Sequence, residues 1–134
     1  MRAVLCSGCF DPFHYGHLRH LEEASRLGSH LFVAVTSDAA MRIERGFARP
    51  LFSAQQRRDV VAAIRFVKNA FIVENAFEAL RCIERGDVFV KGPDYAGRIQ
   101  PSIAQYCREN GIEIAFTSAP KWSATIVANE LRHA

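Results

Sequence analysis

The chain has no long hydrophobic run. Among its longest apolar stretches is residues 31–35, far short of the roughly 20 residues a membrane-spanning helix needs. Its start also lacks the basic, apolar, then small-residue pattern of a secretory signal, so a cytoplasmic protein is expected. Positive charge is not concentrated either. Lys and Arg total 17 against 14 Asp and Glu, a net charge of +3 with a pI near 8.8. No basic stripe with interleaved aromatics occurs, which argues against nucleic acid and for a small anionic ligand. Cys6-Ser7-Gly8-Cys9 has a C-x-x-C spacing, but no second cysteine pair stands at metal-ligand distance from it. The four cysteines, at 6, 9, 82 and 107, are read as reduced thiols, Cys6 as a small buried group ending a strand. A redox or metal centre on Cys6 and Cys9 is the rival expectation. Internal repeats, low-complexity tracts and linkers are lacking too.

What is present is the composition of a globular domain: 134 residues, 49% apolar and 23% charged. That is long enough for one real core and short for two, so residues 1–134 are expected to form a single domain. Buried strands are predicted at residues 3–6, 31–36, 70–73, 87–90 and 113–116, where β-branched or aromatic residues cluster. Helical spacing recurs between them, in Leu18-Leu21-Ala24-Leu27, Val60-Val61-Ile64, Ala76-Leu80-Ile83 and Ile103-Tyr106-Cys107. Alternating strands and helices predict an α/β fold, with a doubly wound parallel sheet of about five strands and helices on both faces. Ser53 and Gln56 have the form of a capping box, and Gly28 and Gly111 are expected as left-handed helix caps. Residues 44–50 and 91–98 read as loops.

One segment carries the chemistry. Gly8-Cys9-Phe10-Asp11-Pro12-Phe13-His14-Tyr15-Gly16-His17 runs from the end of the first strand to the start of the first helix, where ligands bind in open α/β sheets. Free N–H groups and the dipole at that helix start favour an anion. Gly8 and Gly16 clear side chains where backbone must turn tightly or approach a phosphate. His14 and His17, three residues apart, share one face and can both donate to one phosphate group. A lone histidine in a loop is ordinarily structural, and His20 and His30 are read that way, while His133 is expected to be terminal and solvated. Two of them flanking a glycine at a strand-to-helix junction point to function.

The pattern Gly-x-Phe-Asp-x-x-His-x-Gly-His resembles the signature of the cytidylyltransferase-like nucleotidyltransferases. That family includes glycerol-3-phosphate cytidylyltransferase and the adenylyltransferase that makes ADP-heptose. The resemblance continues through Ser37-Asp38, Arg45-Gly46-x-x-Arg49-Pro50, Arg57, Lys91-Gly92-Pro93-Asp94-Tyr95 and Trp122-Ser123-Ala124-Thr125. It implies a Rossmann-like fold, a homodimer, and transfer of a nucleoside monophosphate from ATP or CTP, with Mg2+, to a small phosphorylated acceptor. Lys-Gly-x-Asp-Tyr is the form typical of the ADP-heptose branch, so a sugar 1-phosphate acceptor is favoured. CTP with an alcohol phosphate is the alternative, and a flavin acceptor a more distant one.

Residue roles follow from the resemblance. His14, His17, Lys121 and Arg45 are implied in stabilising charge at the reacting phosphates. Gly8, Cys9, Phe10, Asp11, Gly16, Asp38, Arg57, Lys91, Gly92, Asp94, Ser123, Ala124 and Thr125 are implied in nucleotide binding. Cys9 and Phe10 would act through their backbone N–H groups, and Asp11 would orient a phosphate-binding group or help hold magnesium. Arg49, Tyr95 and Trp122 are implied at the acceptor. Each has a plainer reading: Asp11 as a turn aspartate before Pro12, Ser123 as a helix cap, Arg57 as a solvated helix face. Four positions depart from the family pattern: Arg45 for a lysine, Gln55 for a glutamate, Lys68 for an aspartate, and Ala124 for a hydroxyl residue. A nucleotide-binding regulatory module without turnover is the rival from another class.

Overall fold

The computed structural model describes residues 2–45 and 50–118, with backbone alone at Glu44 and Arg45. Five strands, β1 (Ala3–Gly8), β2 (His30–Thr36), β3 (Asn69–Val73), β4 (Val88–Lys91) and β5 (Glu113–Phe116), form one sheet. The strand order is β3-β2-β1-β4-β5 and every pairing is parallel. Register pairs Cys6 with Val33 on one side and Val90 on the other.

The central strands are unbroken apolar runs because both sheet faces are covered. Val4, Leu5, Cys6, Val33, Ala34, Val35, Val88 and Val90 are all fully buried. Alternate residues face opposite layers. Val4, Cys6, Val33, Val35, Val88 and Val90 pack with Leu21 and Ala24 of helix α1 (Tyr15–Ser25) and Val61 of α3 (Ala54–Ala62). Leu5, Ala34 and Phe89 pack on the other side with Ala79 and Leu80 of α4 (Ala76–Leu80) and Ile103 and Cys107 of α5 (Pro101–Asn110).

The chain thus winds outward from β1 to β3 under one face, then returns to β4, beside β1, under the other. The strand order reverses between β1 and β4, and the crevice outside their C-terminal ends is where this architecture accepts ligands.

All five predicted strands are present, each within two residues of the expected bounds. The Ser53 cap is as read: Gln56 N–H donates to Ser53 Oγ at 3.2 Å, and Ser53 N–H to Gln56 Oε1 at 3.0 Å. Gly111 is left-handed, φ 66°, directly after α5. Gly28 is a different case. It is absent from the positive-φ glycines, and a Cβ there would meet the Arg2 carbonyl oxygen at 2.6 Å. Close approach of β1 requires the glycine, and α1 is capped by Arg26 in the right-handed region.

One helix was not expected, α2 (Asp38–Arg45), which takes in the first residues of the loop read at 44–50. Ser37 opens it, its Oγ accepting from Ala40 N–H at 3.1 Å and its carbonyl from Met41 N–H at 3.0 Å. A turn spanning Pro93–Tyr95 interrupts the second predicted loop.

Candidate active site

The β1–α1 loop is built around Phe10. Its φ of 55° lies in the left-handed region, a conformation that costs a bulky residue about 1–3 kcal/mol unless its surroundings hold it. The ring is buried, 4% exposed. It lies over Gly8, where a Cβ would come 3.1 Å from Phe10 Cζ, and meets the His17 ring edge-on at 5.0 Å. A side chain at Gly8 would therefore press on the phenyl ring above it, which would have to give by a few tenths of an ångström.

His14 and His17 form a capping box with each other, a role usually filled by Ser or Thr with Glu or Gln. His14 is the extended N-cap residue of α1; its Nδ1 accepts from Gly16 N–H at 3.1 Å, while its own N–H donates to His17 Nδ1 at 3.1 Å. The rings stack, centroids 3.8 Å apart and 23° from coplanar. An Nδ1 that accepts carries no proton, so each neutral ring has its proton on Nε2. Burial also holds His14 below the usual histidine range. Each N–H···Nδ1 bond polarises the Nε2–H beyond it, so the imidazoles extend the polarity of the helix start outward. The sequence expectation gave anion binding to free amides; those of His14 and Gly16 are occupied by the rings.

Across the crevice, Lys91 ends β4. Its ammonium is 3.4 Å from Ser7 Oγ and 4.2 Å from the centroid of the Tyr95 ring, a cation–π distance. Tyr95 is 47% exposed. Gly92 follows with φ −73°, and a Cβ there would meet nothing within 4 Å. Asp94 is exposed on the turn after it. Below Lys91 lies His20, one turn beyond His17 on α1, with a nitrogen, Nδ1, 2.7 Å from Thr117 Oγ1. Burial first and the Lys91 charge second push His20 down to about 4, with Glu23 opposing. The helical spacing 14, 17, 20 was the sequence signal for its place on the crevice face. Glu23 accepts from Ser118 N–H at 2.7 Å and Oγ–H at 3.1 Å, tying the chain beyond β5 to α1; no sequence motif announced it.

Three charged residues implied in nucleotide binding have other work. Both Asp11 oxygens accept backbone N–H groups, Oδ2 from Leu51 at 2.8 Å and Oδ1 from Phe52 at 2.9 Å, so Asp11 positions the chain ahead of α3. Arg57, for which a solvated helix face is the plainer sequence reading, is buried instead, its side chain 1% exposed. It donates to the carbonyls of Phe52 (2.9 Å), Cys9 (2.8 Å) and Thr36 (2.8 Å). It also donates to Asp38 Oδ1 at 2.8 Å. Asp38 Oδ1 additionally accepts from Ala54 N–H at 2.9 Å, making Asp38 the buried guanidinium's counter-ion. A cation is buried only with such a partner, because desolvation otherwise outweighs its contacts.

All four cysteines are free thiols. Cys6 is fully buried in the core, and desolvation pushes its thiol up to about 12, an inert setting that gives the redox reading no support. Among the described residues no group of three or more His, Cys, Asp or Glu side chains could hold a metal ion. Gln55 Nε2 donates to Asp59 on the same helix at 2.8 Å, and Lys68 is exposed before β3. Arg49, Lys121, Trp122, Ser123, Ala124 and Thr125 lie outside the described residues, as does the Arg45 side chain.

An all-parallel doubly wound sheet, with paired histidines at the first helix start and a lysine at the end of β4 beside the switch point, is the frame of an α/β domain that takes its ligand at the strand ends. The cytidylyltransferase-like family profile matches residues 5–126, and the chain belongs to that family as a nucleotidyltransferase domain. It is similar to the bifunctional protein HldE of Koribacter versatilis, 43% identical over 97 residues, 71% of this chain and 20% of that one. HldE of Campylobacter jejuni subsp. doylei is 39% identical over 99 residues, 73% of this chain and 22% of that one. The chain therefore spans about a fifth of the length of these curated relatives. In fold it is similar to the lipopolysaccharide core biosynthesis protein from Thermoplasma volcanium, with a TM-score of 0.75 and 23% identity, covering 90% of this chain and 99% of that one. No helix among the described residues is long and apolar enough to cross a membrane.

Proposed function

We propose that this domain transfers a nucleoside monophosphate, AMP in preference to CMP, from the triphosphate to the phosphate of a small acceptor, with a sugar 1-phosphate as the favoured acceptor. An acceptor phosphate oxygen attacks the α-phosphorus, the bond to the bridging oxygen before the β-phosphorus breaks, and pyrophosphate leaves with that electron pair. The product is a nucleoside diphospho-sugar. Such transfer needs alignment and charge stabilisation and no covalent nucleophile from the protein.

The observation that carries this reading is the reciprocal cap of His14 and His17, each Nδ1 occupied by a backbone N–H. With both Nδ1 atoms accepting, the protons sit on Nε2, which supports a role for both rings as donors to the α- and β-phosphates where charge grows in the transition state. Lys91 supplies a cation across the crevice. Gly92, which neither its φ nor its packing requires to be glycine, leaves room for a ribose or base against the backbone. Magnesium enters bound to the triphosphate, held mainly by phosphate oxygens and water. Lys121, Ser123 and Thr125 are assigned to the phosphates, and Arg45, Arg49 and Trp122 to the phosphates and acceptor, on the family pattern. The same pattern supports a homodimer.

The test is pyrophosphate release with magnesium, ATP and CTP each being offered with sugar 1-phosphates, glycerol 3-phosphate and other phosphorylated alcohols. Release that requires ATP and one sugar 1-phosphate is expected. CTP with glycerol 3-phosphate would move the protein to the other branch. Tight nucleotide binding with no release across the panel would favour a silent regulatory module.

A further inference from the structure

Arg57 is the largest fully buried side chain in the described structure, and four of its five N–H groups are engaged at 2.8–2.9 Å. Its partners come from four separate places: the β1–α1 loop, the end of β2, the start of α2 and the segment before α3. We propose that Arg57 is a positioning residue for His17, acting through the Cys9 carbonyl and Phe10, and not a ligand of the triphosphate. This rests on the reading of His14 and His17 as phosphate donors.

Connectivity carries the argument. Phe10 is held in its left-handed conformation from both flanks, on one side by Arg57 on the Cys9 carbonyl, on the other by the Asp11 carboxylate on the amides of Leu51 and Phe52. Arg57 Nε in turn holds the Phe52 carbonyl. Cys9, Phe10, Asp11, Phe52 and Arg57 therefore form a closed circuit of covalent and hydrogen bonds with Phe10 at its centre. The Phe10 ring is the wall against which His17 stands, 5.0 Å away and edge-on. A loosened circuit lets Phe10 relax toward ordinary φ values, and the wall moves with it. Lysine cannot replace Arg57, since three donors on one nitrogen do not reach carbonyls spread around a planar fork. A triphosphate could reach the guanidinium only by displacing the core around it.

The experiment compares wild type with Arg57→Lys and Asp11→Asn by two readouts. Ring 15N shifts of His17, taken without substrate, report its tautomer and surroundings, and steady-state kinetics separate kcat from KM. Both variants are expected to shift the His17 ring signals and to lower kcat about ten-fold or more, with KM for the triphosphate changed less than about three-fold. A raised KM with unchanged kcat and unmoved His17 signals would make Arg57 a phosphate ligand and overturn the proposal. If Arg57→Lys does not fold, Asp11→Asn carries the test alone from the other side of the circuit, and unmoved His17 signals in it are equally fatal. The NMR arm needs no turnover, so failure of the positioning idea is separable from failure of the nucleotidyl-transfer reading.

Discussion

The backbone N–H of His14 donates to Nδ1 of His17 at 3.1 Å, and the two imidazoles stack with centroids 3.8 Å apart. One contact thus both caps the helix and fixes which nitrogen of His17 carries the proton. These two roles can be separated. His17→Gln keeps an acceptor at the third helical position and should retain the cap, whereas His17→Ala should lose about 1 kcal/mol of stability. Both should lower kcat by roughly 10²-fold or more while leaving much of the triphosphate affinity. Urea titrations and steady-state kinetics on the two variants check this; wild-type turnover in His17→Ala would contradict it.

The pH profile follows from the same bonds. Protonation at Nδ1 replaces an acceptor with a donor aimed at a backbone N–H, and stacked rings resist a second charge. On the proposed reading the neutral rings donate to the phosphates through Nε2, and burial holds His14 below the usual histidine value. Turnover should be level through pH 7–8 and fall on the acid side with a midpoint below ~6.5. A rate that declines as pH rises through that value would mean a charged imidazole is required.

His20 should make the fold acid-sensitive. Its folded-state value of about 4 lies below the unfolded ~6.5, so the unfolded chain takes up the proton first as pH falls. Stability is full above about 6.5 and lost progressively toward pH 4, by roughly 2–3 kcal/mol. Lys91 disfavours the charged ring and Glu23 favours it. His20→Gln should flatten this dependence, as measured by urea midpoints at pH 7 and 4.5; equal acid losses in the two proteins would contradict it.

Two glycines at the crevice should respond differently to alanine. At Gly8 the new methyl meets the Phe10 ring at 3.1 Å, which should cost about 1–3 kcal/mol and lower turnover by pressing the ring toward His17. At Gly92 the methyl meets nothing within 4 Å, and stability should stay within about 0.5 kcal/mol. A higher KM for the nucleotide is expected at Gly92 if backbone and ligand come close there. Thermal melts and KM values for the two variants decide it.

The sheet was legible in the sequence because strands buried on both faces are unbroken apolar runs, and the histidine pair because it sits at a strand-to-helix junction beside glycine. Helix α2 was not, since it is eight residues long and Met41 is its one buried apolar residue among those whose side chains are described. The roles of Arg57 and Asp11 were illegible for a different reason. An arginine on a short helix reads as solvated unless one knows which carbonyls surround it, and Cys9 and Thr36 lie 48 and 21 residues away. Spacing reports neighbours on one element; the burial of a charge depends on where distant elements meet.

The account is tested most directly by 31P NMR of the protein incubated with magnesium, ATP and the acceptor that supports pyrophosphate release. Cleavage between the α- and β-phosphates should give equal amounts of pyrophosphate and a new diphosphate diester, and both should form at least roughly a hundred-fold more slowly with His17→Ala. Inorganic phosphate as the product, or the diester formed at full rate by the variant, would contradict nucleotidyl transfer at the histidine pair.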